Sequence, residues 1–217
     1  MKTTIALLTD FGLNDVYVGV MKGVIAGINP QARLLDITHA IPPQDVRQGA
    51  LSLLDAYPYF PAGTIFLVVI DPGVGTARQP IAVQAGGYRF VAPDNGVLSY
   101  ALATFDTLQV AALNNPDYRL PNVSQTFHGR DIFAPAAAHL AAGVPLALMG
   151  DALPDITRLP RPQLTVEGGH ITGEVVHIDR FGNVITSIQR LTWQGNDRLT
   201  LNAHSTSTPH PLRMMPT

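Results

Sequence analysis

The feature that constrains the fold most is a run of apolar and β-branched residues, TIFLVVI, at positions 64–70. A strand of such uniform composition is buried on both faces, as in the middle of a parallel sheet that helices cover. The run ends at Asp71, and a glycine-containing loop, DPGVGTAR, occupies 71–78. This order predicts an α/β fold in which the loop lies beyond the carboxyl end of a central strand, where ligand sites form.

The segments around this strand alternate between strand and helix patterns. Apolar runs and four-residue apolar spacing predict further strands at 5–8, 33–38, 81–84, 88–92 and 108–113, and helices at 16–28, 45–57 and 131–142. Gly86-Gly87 predicts a tight hairpin between two of the strands. We therefore expect an N-terminal layered α/β domain over 1–152 with a mixed, largely parallel sheet.

A second, smaller domain is predicted by a change in composition. Three prolines stand among few apolar residues between Pro154 and Pro162, which indicates a linker over 153–163. Strand patterns at 173–178 and 184–188 flank the turn DRFGN, and a third strand pattern follows at 199–201. We expect a small β-barrel-like domain over 164–217. The last segment, AHSTSTPHPLRMMPT, has no strand periodicity, so this domain is expected to be incomplete at its C-terminus.

Charge and composition narrow the classes of partner. Lys and Arg number 14 against 16 Asp and Glu, a net charge of -2, which leaves no positive excess for nucleic acid or an anionic membrane. Cysteine is absent, which excludes disulfides and a cysteine nucleophile and fits a reducing compartment. The first apolar run is too short for a signal peptide, and nothing approaches a membrane span. We expect a cytoplasmic protein that acts on a small molecule.

Two aspartates follow strands at the edge where ligands bind. Asp10 and Asp71 each stand at a strand end and before a glycine-containing loop. One such aspartate is more often a helix cap or a turn residue, but two together favour a ligand site. Gly73 and Gly75 allow a tight turn, so the loop can hold the Asp71 carboxylate and the Arg78 guanidinium over one pocket. A plain strand connection with a surface salt bridge is the alternative.

A candidate histidine lies in the segment TFHGRD at 126–131. His128 precedes a predicted helix for which Asp131 is placed as the N-cap. Phe127 can supply an apolar wall, and Gly129 leaves room for a ligand. A surface histidine without a function is the alternative.

Metal and serine-hydrolase chemistry receive less support. A metal site is conceivable from residues at strand and helix ends, namely Asp10, Asp71, Asp94 and His128. No close-set ligand pair such as Asp-x-Asp or His-x-x-x-His accompanies them, so we expect no metal. No Gly-x-Ser-x-Gly segment is present, which disfavours a Ser-His-Asp hydrolase. His39 and His177, in or beside strands, are expected to be structural.

Five segments carry a family resemblance, at 9–25, 68–83, 92–99, 126–141 and 178–186: TDFGLNDVYVGVMKGVI, VVIDPGVGTARQPIAV, APDNGVLS, TFHGRDIFAPAAAHLA and IDRFGNVIT. Together they resemble the S-adenosyl-L-methionine hydroxide adenosyltransferase family, the water-using relatives of the fluorinating and chlorinating enzymes. The resemblance implies an attack of water or hydroxide on the 5′ carbon of S-adenosyl-L-methionine, which releases adenosine and L-methionine without a cofactor.

The resemblance also implies roles for individual residues. The nucleophilic water would be held by Asp71, Arg78 and His128. Substrate contacts would come from Asp10, which matches a ribose-binding aspartate, and from Phe127, Gly129, Asp179, Phe181 and Asn183. Of these, Asp179 matches the contact for the methionine ammonium, and Phe181 and Asn183 match adenine contacts. The leaving thioether is neutral, so no general acid is required and the protein has to align and activate water.

Two further expectations follow from the same resemblance. Family members form trimers with the substrate between one subunit's large domain and the next subunit's β domain, so a homotrimer is expected. The halogenating branch carries Tyr at the position of Asp71 and Ser at that of Gly129, and an anionic Asp71 would repel a halide. Because the β domain looks incomplete, a catalytically impaired protein that only binds adenosine or S-adenosyl-L-methionine is a further alternative.

Overall fold

The computed structural model describes residues 2–168 and 170–188, which fall into two compact units that divide between Leu159 and Pro160. The strand expected at 199–201 and the tail that follows it lie outside the described residues. No helix within the described ranges is long and apolar enough to cross a bilayer.

A seven-stranded sheet forms the centre of the first unit. Its strands are β1 (Thr4–Thr9), β2 (Arg33–Thr38), β3 (Ile65–Val69), β4 (Pro80–Ala85), β5 (Tyr88–Pro93), β6 (Gln109–Ala112) and β7 (Ala152–Leu153), in the order β2-β1-β3-β5-β4-β6-β7. The first four strands of that order run parallel, whereas β4, β6 and β7 pair antiparallel with their neighbours. The predicted α/β fold with a mixed, largely parallel sheet is confirmed.

Helices cover both faces of this sheet. They are α1 (Tyr17–Ile28), α2 (Val46–Ala56), α3 (Ser99–Leu102) and α4 (Ala134–Ala141). Because side chains alternate along a strand, Leu67 packs in one cluster with residues of α1 and α4, and Phe66 packs in the other with residues of α2 and α3. Every residue of β3 is buried, as its uniform apolar composition predicts.

The predicted start of the last helix is wrong. Asp131 is not an N-cap but lies inside a π-helical turn, Gly129–Phe133, and α4 begins only at Ala134. The N–H groups of Arg130 and Asp131 both donate to the Phe127 carbonyl, each at 3.2 Å. Helical turns therefore begin before Asp131, and its carboxylate is directed to another segment.

The second unit contains two antiparallel hairpins within its described part. One pairs β8 (Leu164–Glu167) with β9 (His170–Gly173), and the other pairs β10 (Val175–Ile178) with β11 (Val184–Thr186). The sequence pattern predicted the second hairpin, although the strand begins at Val175 rather than at Gly173. The first hairpin was not predicted, because all residues of its strands are exposed and no buried face sets an apolar alternation.

Because buried residues pack on both faces of the sheet, the loss of one central aromatic ring should lower the stability of the fold. Phe66 is fully buried and stacks on Phe90 with 5.2 Å between ring centroids. We expect Phe66→Ala to lower the unfolding free energy by about 3–5 kcal/mol in urea titrations, through lost burial and a cavity. Tyr59→Ala, at a side chain that is 88% exposed, should change it by less than about 0.5 kcal/mol. Equal losses in the two variants would contradict this description of the core.

Candidate active site

The sheet brings two of the predicted aspartates to one edge. β1 and β3 run parallel with Thr9 opposite Val69, so the chain leaves both strands at the same level. Asp10 follows directly, and Asp71 comes one residue after the buried Ile70. The two carboxylates interact electrostatically, since burial raises the pKa of Asp10 and the negative charge of Asp71 adds to that effect.

The loop at 71–78 is a series of tight turns. The Thr76 hydroxyl donates to the Gly73 carbonyl at 2.6 Å, and the Val74 N–H donates to the Asp71 carbonyl at 3.2 Å. Gly75 has φ of +76°, and a Cβ there would lie 2.5 Å from the Gln125 carbonyl oxygen. Only glycine fits a left-handed conformation at so close an approach. The loop therefore packs directly on the segment that leads to His128.

Asp71, Arg78 and His128 form one hydrogen-bonded set. The Arg78 guanidinium donates from Nε to Asp71 Oδ1 at 2.9 Å and from Nη2 to Asp71 Oδ2. Both side chains are nearly buried, with 9% and 6% of their areas exposed. Nη2 also donates to His128 Nδ1 at 2.8 Å, and the guanidinium lies over the Phe133 ring at 5.2 Å. The structure thus brings together the three residues predicted to hold a nucleophile.

This contact decides the protonation of His128. A guanidinium has only donors, so Nδ1 must accept, and the neutral ring carries its proton on Nε2. Burial, followed by the positive charge of Arg78, lowers the pKa of His128 below its ordinary 6.5. The charges of Asp71 and Asp131 and a hydrogen bond with the Ser124 backbone act in the opposite direction but do not outweigh these causes. His128 is therefore neutral at pH 7.

Asp10 is held by an unusual backbone conformation. The Gln44 N–H donates to Asp10 Oδ2 at 2.7 Å, and Gln44 has φ of +66°. No other non-glycine residue among the described ranges has a positive φ. Burial raises the pKa of Asp10, against the effect of the Gln44 hydrogen bond. The next residue, Asp45, caps α2 by accepting from the Gln48 N–H at 2.9 Å.

A buried histidine supports the loop that carries Asp10. His39 Nδ1 lies 2.8 Å from the Thr9 hydroxyl, and its Nε2 lies 3.1 Å from Asp36 Oδ1. The Phe11 N–H donates to the same Thr9 hydroxyl, and the Gly12 N–H donates to the His39 carbonyl. His39 has the structural role that its position beside a strand predicts.

The room expected beside Gly129 is occupied. A Cβ at Gly129 would lie 3.2 Å from both Met21 Sδ and Phe127 Cε2, and 3.4 Å from Phe11 Cε2. Phe127 and Phe11 form an aromatic group with Tyr17, with ring centroids 5.0–6.0 Å apart. The inference that this glycine leaves space for a ligand was therefore wrong. Its lack of a side chain instead lets the π turn approach α1.

The residues proposed for a metal site are not gathered into one cluster. The Asp94 carboxylate accepts from the Thr157 N–H at 2.7 Å, which ties it to the segment after β7. Within the described ranges no three His, Asp or Glu side chains lie close enough together to hold a metal ion.

The predicted contacts in the second unit lie together on one turn. Asp179 Oδ1 accepts from the N–H groups of Phe181 and Asn183 at 2.8 and 2.9 Å, and its Oδ2 accepts from the Asn183 amide at 2.6 Å. The hydrogen bond from the Asn183 side chain is the main cause that lowers the pKa of Asp179. The Phe181 ring is 80% exposed, with the Arg180 guanidinium over it at 5.3 Å.

Several residues that hold this site gave no signal in the sequence. Gln44 is not a residue type that favours a positive φ, and Phe133 resembles any other apolar residue of a helix. Ser124 lies in a polar loop of ordinary composition. Asp131 was noticed, but only as a helix cap.

Comparison with known proteins places this architecture in a family. The model of the SAM hydroxide adenosyltransferase N-terminal domain matches residues 5–150. The chain belongs to this family. It is 49% identical over 183 residues to "(R)-S-adenosyl-L-methionine hydrolase" of Salinispora tropica, a match that covers 83% of this chain and 70% of that protein. It is 32% identical over 213 residues to the "Fluorinase" of an Actinoplanes species, with coverage of 86% and 72%.

Two solved structures are similar to this chain in fold and sequence. The crystal structure of an uncharacterised conserved protein from Thermotoga maritima matches with a TM-score of 0.81 and 45% identity, covering 84% of this chain and 70% of that one. A conserved hypothetical protein from Thermus thermophilus matches with a TM-score of 0.69 and 40% identity, covering 86% and 72%.

The strained backbone at Gln44 can be tested by glycine substitution. Gln44→Gly keeps the backbone N–H that donates to Asp10 and removes the energetic cost of a left-handed backbone at a residue with a Cβ. We therefore expect the unfolding free energy to rise by up to about 1 kcal/mol. Gln44→Val should lower it by about 1–3 kcal/mol, because a β-branched residue tolerates this conformation poorly.

Urea denaturation of these variants measures the effect, with Gln48→Gly as the matched control. Gln48 lies inside α2, where glycine should cost about 1 kcal/mol. If Gln44→Gly were destabilised as much as Gln48→Gly, the backbone at position 44 would not be strained.

Proposed function

We propose that this chain hydrolyses S-adenosyl-L-methionine by attack of water or hydroxide on the 5′ carbon, giving adenosine and L-methionine. The observation that carries the proposal is the set formed by the Asp71–Arg78 ion pair and His128 at the carboxyl edge of the sheet. Membership of the family supports it, as does 44–49% identity to three proteins named as hydrolases of this compound.

The reaction requires little of the protein beyond positioning the nucleophile and favouring its deprotonated form. A C–O bond forms at the 5′ carbon while the C–S bond breaks, and its electron pair neutralises the sulfonium. The departing thioether needs no proton, and the proton of the attacking water goes to the solvent. The two tasks that remain are to align the nucleophile and to favour its deprotonated form.

Arg78 performs the second task. Its fixed positive charge lies in a nearly buried environment, where it lowers the pKa of an adjacent water molecule. The bonds to Asp71 and His128 use three of its five N–H donors. Asp71 accepts at both oxygens and so orients the guanidinium. His128 is neutral, and because its Nδ1 already accepts an Arg78 N–H it is proposed to help to hold the water rather than to take its proton.

The substrate contacts are also proposals. In the first unit, one oxygen of Asp10 is held by the Gln44 N–H, and the carboxylate is suited to adjacent ribose hydroxyls. Phe127, whose ring contacts Phe11 beside Asp10, and the backbone of Gly129 are proposed as further substrate contacts. In the second unit, Asp179 is proposed for the methionine ammonium, and Phe181 and Asn183 for adenine. A homotrimeric assembly and a cytoplasmic location stay predictions.

Isotope labelling tests the reaction itself. In oxygen-18 water, the 5′ oxygen of the adenosine product should carry the label, as read by mass spectrometry. Unlabelled adenosine, or binding of adenosine without turnover, would contradict hydrolysis, and the second result would indicate the binding protein considered above. In added chloride or fluoride no 5′-halogenated nucleoside should form, because the Asp71 carboxylate repels an anion.

The role of Asp71 predicts a large loss in one substitution. Asp71→Asn preserves the side-chain size but removes the charge that pairs with Arg78. We expect kcat for S-adenosyl-L-methionine to fall by about 10²–10⁴-fold, with a much smaller change in KM. Asp106→Asn, on the exposed surface, is the matched control and should leave kcat unchanged. Similar kinetics for the two variants would remove Asp71 from the catalytic set.

A further inference from the structure

The π-helical turn that follows His128 is not explained by any role described so far. It covers Gly129–Phe133 and joins His128 to α4. Such turns are rare and occur frequently at functional sites. Some other interaction must therefore stabilise this turn.

A buried carboxylate inside the turn supplies that interaction. Asp131 has no exposed area, and its Oδ2 accepts from the Ser124 N–H at 2.8 Å. Arg130 donates from Nε to Oδ1 at 2.6 Å and from Nη2 to Oδ2 at 3.1 Å. The Asp131 carbonyl accepts from the Leu120 N–H at 2.8 Å. Burial alone would raise the pKa of Asp131, but the hydrogen bonds from Arg130 and Ser124 outweigh it and keep the carboxylate charged.

Ser124 connects this carboxylate to the catalytic set. Its hydroxyl accepts from the Phe127 N–H at 2.9 Å, and Phe127 directly precedes His128 in the chain. Asp131 therefore restrains Ser124, and Ser124 restrains the backbone of Phe127, to which His128 is joined directly. The neighbouring Gln125 carbonyl contacts Gly75, so the same segment also borders the loop at 71–78.

We propose that Asp131 is a positioning residue, which acts through Ser124 to hold His128 where its Nδ1 accepts the Arg78 N–H. The π turn is required for this because it directs the Asp131 carboxylate back to the segment before His128 instead of outward from a regular helix. The kinetic consequence rests on the proposed hydrolysis, whereas the placement of His128 does not.

Titration of His128 by NMR in the substrate-free protein separates positioning from other effects. Asp71 and Arg78 face its ring from the loop, and Asp131 from the π turn. If the ring leaves its buried place in Asp131→Asn, the causes that lower its pKa disappear, and the pKa should rise towards the ordinary 6.5. A ring that stays in place would only lose a negative neighbour, so its pKa would fall or remain unchanged, and either result would overturn the proposal.

Kinetics provide the second measurement. In Asp131→Asn we expect kcat to fall by about tenfold to a hundredfold with little change in KM, because a displaced group slows the reaction more than it weakens binding. The matched control is Asp155→Asn, where an exposed aspartate likewise accepts a backbone N–H, from Ile156, and pairs with an arginine, Arg158. This control should keep the wild-type kcat and His128 titration.

A milder variant covers the case in which Asp131→Asn does not fold. Ser124→Ala removes only the hydroxyl that accepts from Phe127, and it should shift the His128 titration and kcat in the same directions by smaller amounts. Wild-type values of both in Ser124→Ala would overturn the proposal. If the wild-type protein itself showed no hydrolysis, the proposed function would fail, but the titrations would still decide whether Asp131 positions His128.

Discussion

The nearly buried ion pair between Asp71 and Arg78 is the interaction on which the rest of the site depends. Removing two charges from water is costly, and the cost is offset only when the geometry is good and further hydrogen bonds exist. Here the guanidinium is held bidentately, lies over the Phe133 ring and donates to His128. The glycines of the 71–78 loop are needed to bring both partners to the end of one buried strand.

The same pair determines what the site can do chemically. Burial and the charge of Arg78 keep the His128 imidazole neutral, and the Asp71 carboxylate is paired with the same guanidinium. What remains for an attacking water are the guanidinium N–H donors that neither Asp71 nor His128 uses. A sulfonium substrate matches this site well, since its leaving group requires no proton. The carboxylate at position 71 also disfavours the halide chemistry for which the similar fluorinase is named.

Two sequence predictions about the segment after His128 were wrong for a common physical reason. The spacing of alanines predicts a helix, but it contains nothing that distinguishes an α-helical first turn from a π turn, so Asp131 looked like a cap. Gly129 was expected to leave room for a ligand, because the sequence does not show whether a ligand or another side chain fills the space beside a glycine. In the structure that neighbour is the Met21 and Phe127 pair. Both errors concern contacts with residues distant in the sequence or across a turn.

The sequence by itself determined the sheet and the chemistry at its edge. A uniformly apolar β3 requires cover on both faces, parallel strands end together, and Asp10 and Asp71 stand where those strands end. Only the tertiary structure decided how these groups are held. Gln44 donates to Asp10 from a backbone conformation that its residue type does not predict, and Ser124 receives its role from a buried carboxylate in the π turn. Hydrophobic periodicity involves neighbouring residues and can be recognised in the sequence. These hydrogen bonds join separate segments and form only when packing has brought those segments together.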